Sequence, residues 1–260
     1  MMDDPFLGRA RELVANAEAV VVLTGAGVSA SSGVPTFRGT EGLWRSFRPE
    51  ELATPAAFAR DPELVWSWYA WRRKRIASCR PNPAHSALAR FALSGRSVTL
   101  VTQNVDGLHA TAAVEEARLL QESPSPALPL ELHGSIFRLR CTLCSHREPH
   151  RVPDPNEEEE EVPSCPGCSQ LLRPDVVWFG EPLPSRILSG AFEAAQAADL
   201  CLVVGTSAVV HPAASIPLAT AECGGTVVEV NPEATPVSRV ASMSLRGDAA
   251  EVIPALLEGL

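Results

Sequence analysis

The chain has 260 residues, 45% of them hydrophobic and 20% charged, which is enough to bury one large core or a core carrying a smaller insert. No apolar run approaches the roughly 20 residues that span a bilayer, and the acidic start Met1-Met2-Asp3-Asp4-Pro5 lacks the basic and apolar regions of a signal peptide, so a soluble, cytoplasmic protein is expected. A net charge of −9 argues against gripping a nucleic-acid backbone, and seven cysteines, an odd number in that compartment, argue against a disulfide scaffold.

Short β-branched runs recur at residues 20–24, 98–102, 200–204 and 226–230, with a weaker one at 242–245. Helix-like stretches fall at 62–77, 84–93, 185–197, 213–222 and 249–257. Strands alternating with helices predict an α/β fold, a Rossmann-like parallel sheet with helices on both faces. The expected division is a core over about 1–133 and 176–260, with a helical insert over about 40–95, and a small inserted module over about 134–175. That module holds two cysteine pairs, prolines at 149, 153, 155, 163 and 166, and an acidic run at 157–161 that reads as a solvated loop tip. Residues 115–129, with Ser123-Pro124-Ser125-Pro126, read as an irregular surface insertion.

Each strand run is followed at once by residues suited to a loop that meets a ligand: Gly25-Ala26-Gly27, Gln103-Asn104-Val105-Asp106, Gly205-Thr206-Ser207, Asn231 and Gly247-Asp248. Ligands of open α/β sheets bind outside the carboxyl ends of the strands, so these segments should line one crevice. The first continues as Gly25-Ala26-Gly27-Val28-Ser29-Ala30, the G-x-G-x-x-A form of a dinucleotide loop, whose glycines let amide N–H groups approach a pyrophosphate. The acidic residue that usually follows about 20 positions on is missing. Gly33 and Pro35 also interrupt any helix begun near Ala30, so no ordinary Rossmann crossover comes next.

Cys141-x-x-Cys144 and Cys165-x-x-Cys168, with 20 residues between the pairs, have the spacing of two zinc knuckles sharing one tetrahedral ion. Four thiolates leave no open position for water, so this Zn2+ is expected to be structural. Cys79, Cys201 and Cys223 fit no pattern, and Cys201, within an apolar strand, reads as a small buried hydrophobe. His146 and His150, inside the module, are expected to be exposed.

The stretch Gly25-Ala26-Gly27-Val28-Ser29-Ala30-Ser31-Ser32-Gly33-Val34-Pro35-Thr36-Phe37-Arg38-Gly39 strongly resembles the NAD-binding signature of the sirtuins, the NAD-dependent protein lysine deacylases. The resemblance runs in order through Gln103-Asn104-Val105-Asp106, His133-Gly134, the four cysteines, Val177-Trp178-Phe179-Gly180-Glu181, Gly205-Thr206-Ser207 and Val230-Asn231. It implies NAD as co-substrate, met by Gly25, Ala26, Gly27, Ser29, Thr36, Phe37, Arg38, Trp44, Gln103, Asn104, Val105, Asp106, His133, Gly205, Thr206, Ser207, Asn231, Pro232, Glu233 and Ala249. Asn104 and Asp106 would contact the nicotinamide end, and Asn231 would take the ribose role left by the missing acidic residue.

The resemblance also makes His133 the general base and Asn104 a second catalytic residue, whereas His85, His109 and His211 have no equivalent claim. An imidazole suits the task, with an unperturbed pKa of about 6.5. The implied chemistry is attack of the acyl carbonyl oxygen on the ribose carbon as nicotinamide leaves to give an alkylimidate, then attack on the imidate carbon by a ribose hydroxyl that His133 deprotonates, with water completing the cycle to give free lysine and 2′-O-acyl-ADP-ribose. Val177, Phe179, Gly180 and Glu181 would pair with the backbone of the partner, a protein bearing an acylated lysine. No nucleic-acid or membrane partner is expected, and the chain is expected to be a monomer. Residues 111–130 are longer than the connection usual before the His-Gly segment in the family.

Within 62–77, Tyr69 and Arg72 are three apart and share a helical face. A phenol beside a guanidinium can bind a carboxylate, the fork taking both oxygens and the hydroxyl adding a donor. Arg72-Arg73-Lys74-Arg75 is also a charge run, and such runs usually form solvated faces. The Tyr-x-x-Arg pair resembles that of the class III sirtuins, which prefer succinyl-, malonyl- and glutaryl-lysine, and Ala53 matches the small residue that widens their acyl pocket. The alternatives carried are a sirtuin acting mainly as deacetylase or ADP-ribosyltransferase, and a non-catalytic NAD-binding module.

Overall fold

The computed structural model describes residues 5–34, 49–151 and 161–260, so Thr36, Phe37, Arg38, Trp44 and most of the acidic run lie outside the described residues. In chain order the elements are α1 (Pro5–Asn16), β1 (Ala19–Thr24), α2 (Pro49–Leu52), α3 (Pro55–Arg60), α4 (Pro62–Ala77), α5 (Pro83–Leu93), β2 (Ser97–Thr102), α6 (Leu108–Leu120) and β3 (Leu130–Glu131). The second half adds β4 (Gly134–Cys141), β5 (Arg147–Pro149), β6 (Leu172–Val176), α7 (Ser185–Ala197), β7 (Leu200–Val204), α8 (Ile216–Glu222), β8 (Thr226–Val230), β9 (Met243–Leu245) and α9 (Ala249–Leu257).

The valine-rich runs form a six-stranded sheet in the order β3-β2-β1-β7-β8-β9, parallel at every pairing. Alternation along each strand sends side chains to opposite faces. Val20 and Val22 of β1 pack with Leu200, Leu202 and Val204 of β7 against α1, α5 and α9. Val21 and Leu23 pack with Cys201 and Val203 against α7 and α8. Both faces are therefore buried, which is why these strands read as continuous apolar runs. The chain leaves β1 toward β2 on one side and returns to β7 on the other, so the strand order reverses beside β1.

Three helices start on one local signal, a capping side chain followed by proline at the first helical position. Thr54 accepts from Ala57 N–H, Asp61 from Leu64 N–H and Asn82 from Ala84 N–H, heading α3, α4 and α5. Helices α2 to α4 build a separate apolar cluster, in which Leu52, Ala53, Phe58, Val65 and Tyr69 pack with Ile136, Val176 and Trp178. Helix α5 instead puts Ala84, Leu88 and Phe91 into the core under the main sheet.

The module between β3 and α7 carries an antiparallel sheet in the order β5-β4-β6. Its histidines differ from expectation: both are half-buried, His146 paired with Glu148 at 2.9 Å and His150 edge-on to Trp66. Residues 115–120, expected to be irregular, complete α6. Ala112, Ala113 and Ala117 pack that helix on Ala89 and Ala127, and Glu116 pairs with Arg90 at 3.0 Å. The Ser-Pro-Ser-Pro signal governs only the segment beyond Gln121, whose φ of 59° ends the helix. Helix α1 has no counterpart among the elements expected from the sequence, and residues 213–215 form a 3-10 turn ahead of α8.

Candidate active site

The loops after β1, β2, β7 and β8 meet at the carboxyl edge of the sheet. Gly27 N–H donates to Gly205 O at 2.8 Å, and a Cβ on Gly27 would lie 2.7 Å from that oxygen. Gln103 Nε2 donates to Thr206 Oγ1 at 2.8 Å, and Asn231 Nδ2 donates to Thr206 O at 2.8 Å. Ser31 donates to Asp248, which also caps α9 at Ala250 N–H. All five loop segments expected at one crevice are thus connected. Ala26 to Ser32 form a 3-10 helix that ends at Gly33 with φ of 84°, consistent with the interruption expected there.

Ser29 organises the floor of the crevice. Its hydroxyl donates to Asp106 Oδ2 at 2.8 Å and accepts from Asn104 Nδ2 at 3.1 Å. His85 Nδ1 accepts from Asn82 N–H at 3.2 Å, which puts the ring proton on Nε2, 3.3 Å from Ser29 Oγ as a further donor. Asp106 is buried, and its other oxygen accepts from Leu108 N–H at 3.0 Å at the start of α6. Burial pushes its carboxyl up, against the Leu108 and Ser29 hydrogen bonds and the Arg72 charge. Sequence reasoning misses His85 because nothing near it in the chain marks it. Its partner Ser29 is 56 residues away.

Behind this network, Thr24 Oγ1 donates to Thr102 Oγ1 at 2.8 Å and lies 3.0 Å from His109 Nε2, while the rings of His85 and His109 are 4.7 Å apart. Burial pushes His85 down to about 4 and His109 well below the usual imidazole range, the second helped by the first.

His133 stands at the rim. Its Nδ1 is 2.8 Å from Gln103 O, so that nitrogen carries the proton and Nε2 keeps its lone pair. Burial holds this imidazole below its ordinary value, partly offset by the Gln103 carbonyl, so it is neutral at pH 7. Val177 N–H donates to His133 O at 2.9 Å and joins the rim to the segment after β6. There Phe179 N–H donates to Ala53 O at 2.9 Å, and the Glu181 carboxylate takes Arg173 at 2.7 and 2.8 Å and Trp178 N–H at 2.9 Å. Glu181 therefore fixes the segment's shape, while Phe179 is 48% exposed and Gly180 adopts φ of 86°.

Tyr69 and Arg72 are both buried on α4, as is Arg73, so the charge run is not one solvated face. Trp178 Nε1–H donates to Tyr69 Oη at 2.8 Å, and the Arg72 guanidinium lies 5.5 Å from the Trp68 ring centre. Burial pushes the Tyr69 phenol up to about 12 despite the opposing Arg72 charge.

The four cysteine sulfurs lie within 4.8 Å of one another, with Cys141 to Cys168 at 3.4 Å and Cys144 to both Cys165 and Cys168 at 3.6 Å. A tetrahedron of Zn–S bonds of about 2.3 Å has edges of roughly 3.8 Å, so this donor set fits a zinc ion with no position left open. One carboxylate has no sequence signal. Glu229, buried on β8, accepts from Thr235, from Ser238 at 2.6 Å, from Ser244 at 2.8 Å and from Arg246 at 2.9 Å. Burial raises its pKa, but these hydrogen bonds and the Arg246 charge hold it below the usual carboxylate range. Arg246 also donates to Asn231 O and Glu233 O, which ties down the turn after β8.

A parallel sheet with a reversing strand order, glycine loops at its carboxyl edge, an imidazole with a free lone pair and a closed four-thiolate site define a Rossmann-like enzyme that handles a nucleotide. The family model described as the Sir2 family matches residues 25–212. The chain is 50% identical over 254 residues to the NAD-dependent protein deacylase of Thermococcus kodakarensis, covering 96% of this chain and 94% of that one. A Sir2 homolog solved as an NAD complex superposes with a TM-score of 0.85 at 45% identity, covering 99% of this chain and 93% of that one. A Sir2 protein bound to an acetylated peptide gives 0.81 at 29%, with 97% of each chain covered. This chain belongs to the Sir2 family and is an enzyme of it. Among the described residues, no helix is long and apolar enough to cross a membrane.

Proposed function

We propose that this Sir2 family enzyme removes acyl groups from protein lysines with consumption of NAD, and that it favours acyl groups ending in a carboxylate (succinyl, malonyl and glutaryl) over acetyl. The observation that carries the acyl preference is the burial of Tyr69 and Arg72 together, the tyrosine in the apolar cluster that also holds Ala53. A carboxylate that meets a guanidinium away from water gains more than one that meets it in solvent, and a phenol kept protonated adds a neutral donor.

Each part of the crevice has its own task. Gly25, Ala26, Gly27, Gly205, Thr206 and Ser207 offer backbone at the strand ends, and Asn231, Pro232 and Glu233, after β8, and Ala249, at the start of α9, would meet the same co-substrate. Thr36, Phe37, Arg38 and Trp44 are assigned to the same co-substrate from the sequence. NAD, when bound, supplies a ribose carbon whose nicotinamide leaves. Ser29, held by His85, presents the Asn104 and Asp106 side chains to the nicotinamide end, flanked by Val105 and Gln103. His133 Nε2 takes a proton from a ribose hydroxyl while Gln103 O stabilises the imidazolium through Nδ1. Val177, Phe179 and Gly180 offer main chain to the substrate protein, with Glu181 fixing their shape. Zinc on Cys141, Cys144, Cys165 and Cys168 would brace the module and supply no catalytic water.

The test is an Arg72→Met variant assayed with NAD on succinyl-lysine and acetyl-lysine forms of one peptide. Losing a charge-assisted pair should cost the succinyl substrate roughly 10- to 100-fold in kcat/KM and the acetyl substrate far less. Full desuccinylation by the variant would overturn the pocket assignment, and the absence of NAD-dependent acyl loss from any peptide would overturn the activity itself.

A further inference from the structure

A phenol oxygen has lone pairs that accept and one proton to give. At Tyr69, 1% exposed, an accepting position is taken by Trp178 Nε1–H at 2.8 Å, and among the described residues nothing accepts the phenol's own proton. A phenolic O–H lies near the ring plane and has two favourable directions, toward one ortho carbon or the other. A donor seated on one side leaves the proton to the other. Trp178 therefore decides which way Tyr69 donates.

Trp178 is itself held on several sides. Its backbone N–H donates to the Glu181 carboxylate at 2.9 Å. The Arg173 guanidinium lies 3.7 Å from its ring centre and forks onto Glu181 at 2.7 and 2.8 Å. The Phe58 ring stands 5.4 Å away. The next residue, Phe179, is hydrogen-bonded to Ala53 O. A buried, charge-braced indole of this kind has one orientation, and its N–H is spent on Tyr69.

We propose that Trp178 is a specificity-determining positioning residue: its indole N–H occupies the Tyr69 oxygen so that the phenol proton is presented to the carboxylate of an acidic acyl group beside Arg72. The inference rests on the acidic-acyl reading above. It adds that Tyr69 and Arg72 alone do not suffice. Without the indole donor, the phenol divides its proton between two directions, and the carboxylate must order it on binding.

The test compares wild type, Trp178→Phe, Tyr69→Phe and the double variant on succinyl-lysine and acetyl-lysine forms of one peptide at saturating NAD. Phenylalanine keeps an aromatic face for Arg173 and Phe58 and removes only the N–H donor and ring bulk. The succinyl-to-acetyl ratio of kcat/KM should fall about tenfold in Trp178→Phe, through KM of the succinyl peptide and not kcat. It should fall at least as far in Tyr69→Phe, and no further in the double variant, because the two residues act as one unit. An unchanged ratio in Trp178→Phe, or additive losses in the double variant, would overturn the inference while leaving the acidic-acyl reading in place. A wild type with no succinyl preference would overturn both. A second measurement does not depend on a variant folding: among the indole N–H signals of the five tryptophans in the 15N-labelled wild type, one should shift on adding the succinyl peptide and stay in place with the acetyl peptide. No such selective shift would equally overturn the role of Trp178.

Discussion

Ser29 and Asp106 share a 2.8 Å hydrogen bond across 77 residues of sequence, and the same serine oxygen receives Asn104 and His85. One hydroxyl from the loop after β1 thus sets the orientation of two side chains from the loop after β2. The proton order is fixed by the chain itself: Asn82 N–H fills His85 Nδ1, His85 Nε2 donates to Ser29, and Ser29 donates to the carboxylate.

Removing that hydroxyl should be felt twice. In Ser29→Ala the buried Asp106 and His85 each lose a partner, which should cost about 1–3 kcal/mol of stability in urea unfolding. Asn104 and Asp106 would also lose their common anchor, so kcat/KM for NAD should fall by about tenfold or more, a typical loss for a displaced positioning contact. A variant with wild-type turnover would show that the crevice floor does not depend on this network.

Acid should loosen the same region. His85 is pushed down by burial to about 4 from an ordinary 6.5, so below pH 6.5 the unfolded chain binds a proton that the folded chain refuses. Stability from this group is therefore complete above about pH 6.5 and lost as pH falls toward 4, with roughly 2 kcal/mol gone by pH 5. His109, shifted in the same direction, adds to the loss. Urea unfolding at pH 7.5 and at pH 5 should show the difference in wild type, and His85→Gln should flatten it. Equal slopes in the two proteins would assign the acid sensitivity elsewhere.

The contrast between these histidines and His133 shows what a sequence can carry. Strands such as Val20 to Leu23 are legible because a buried parallel strand needs apolar residues on both faces, and the glycine loops are legible because close backbone approach excludes a Cβ. The zinc ligands are legible from spacing, since each knuckle is local. His85 and Glu229 are not, because their roles come from partners brought by other strands and loops, and a lone polar residue has no local pattern. The run of four basic residues leaves a solvated face open as an alternative for Arg72, but α4 turns Arg72 and Arg73 inward toward Trp68 and Trp66 and leaves Arg75 outside. The Ser-Pro-Ser-Pro cluster makes residues 115–120 read as irregular, whereas Ala117 packs this last part of α6 with Ala89 of α5, a tertiary effect that local sequence does not show.

The single tyrosine of the chain makes its protonation state directly readable. Tyr69 is the only residue that can give tyrosinate absorbance near 295 nm, and burial pushes it up to about 12, against the pull of Arg72 and the Trp178 hydrogen bond. The folded phenol resists ionisation, so the unfolded chain releases its proton first, near pH 10. Stability from this group is present below about pH 10 and declines as pH rises toward 12, by up to roughly 3 kcal/mol. A native spectrophotometric titration should therefore show no tyrosinate at pH 10, where the same protein in urea shows about half. Since the phenol remains a donor throughout, the preference for acidic acyl groups should persist from pH 7 to 9.5. Half-ionisation of the native protein near pH 10 would mean that Tyr69 is solvated, and the acyl pocket built on its buried hydroxyl would have to be abandoned.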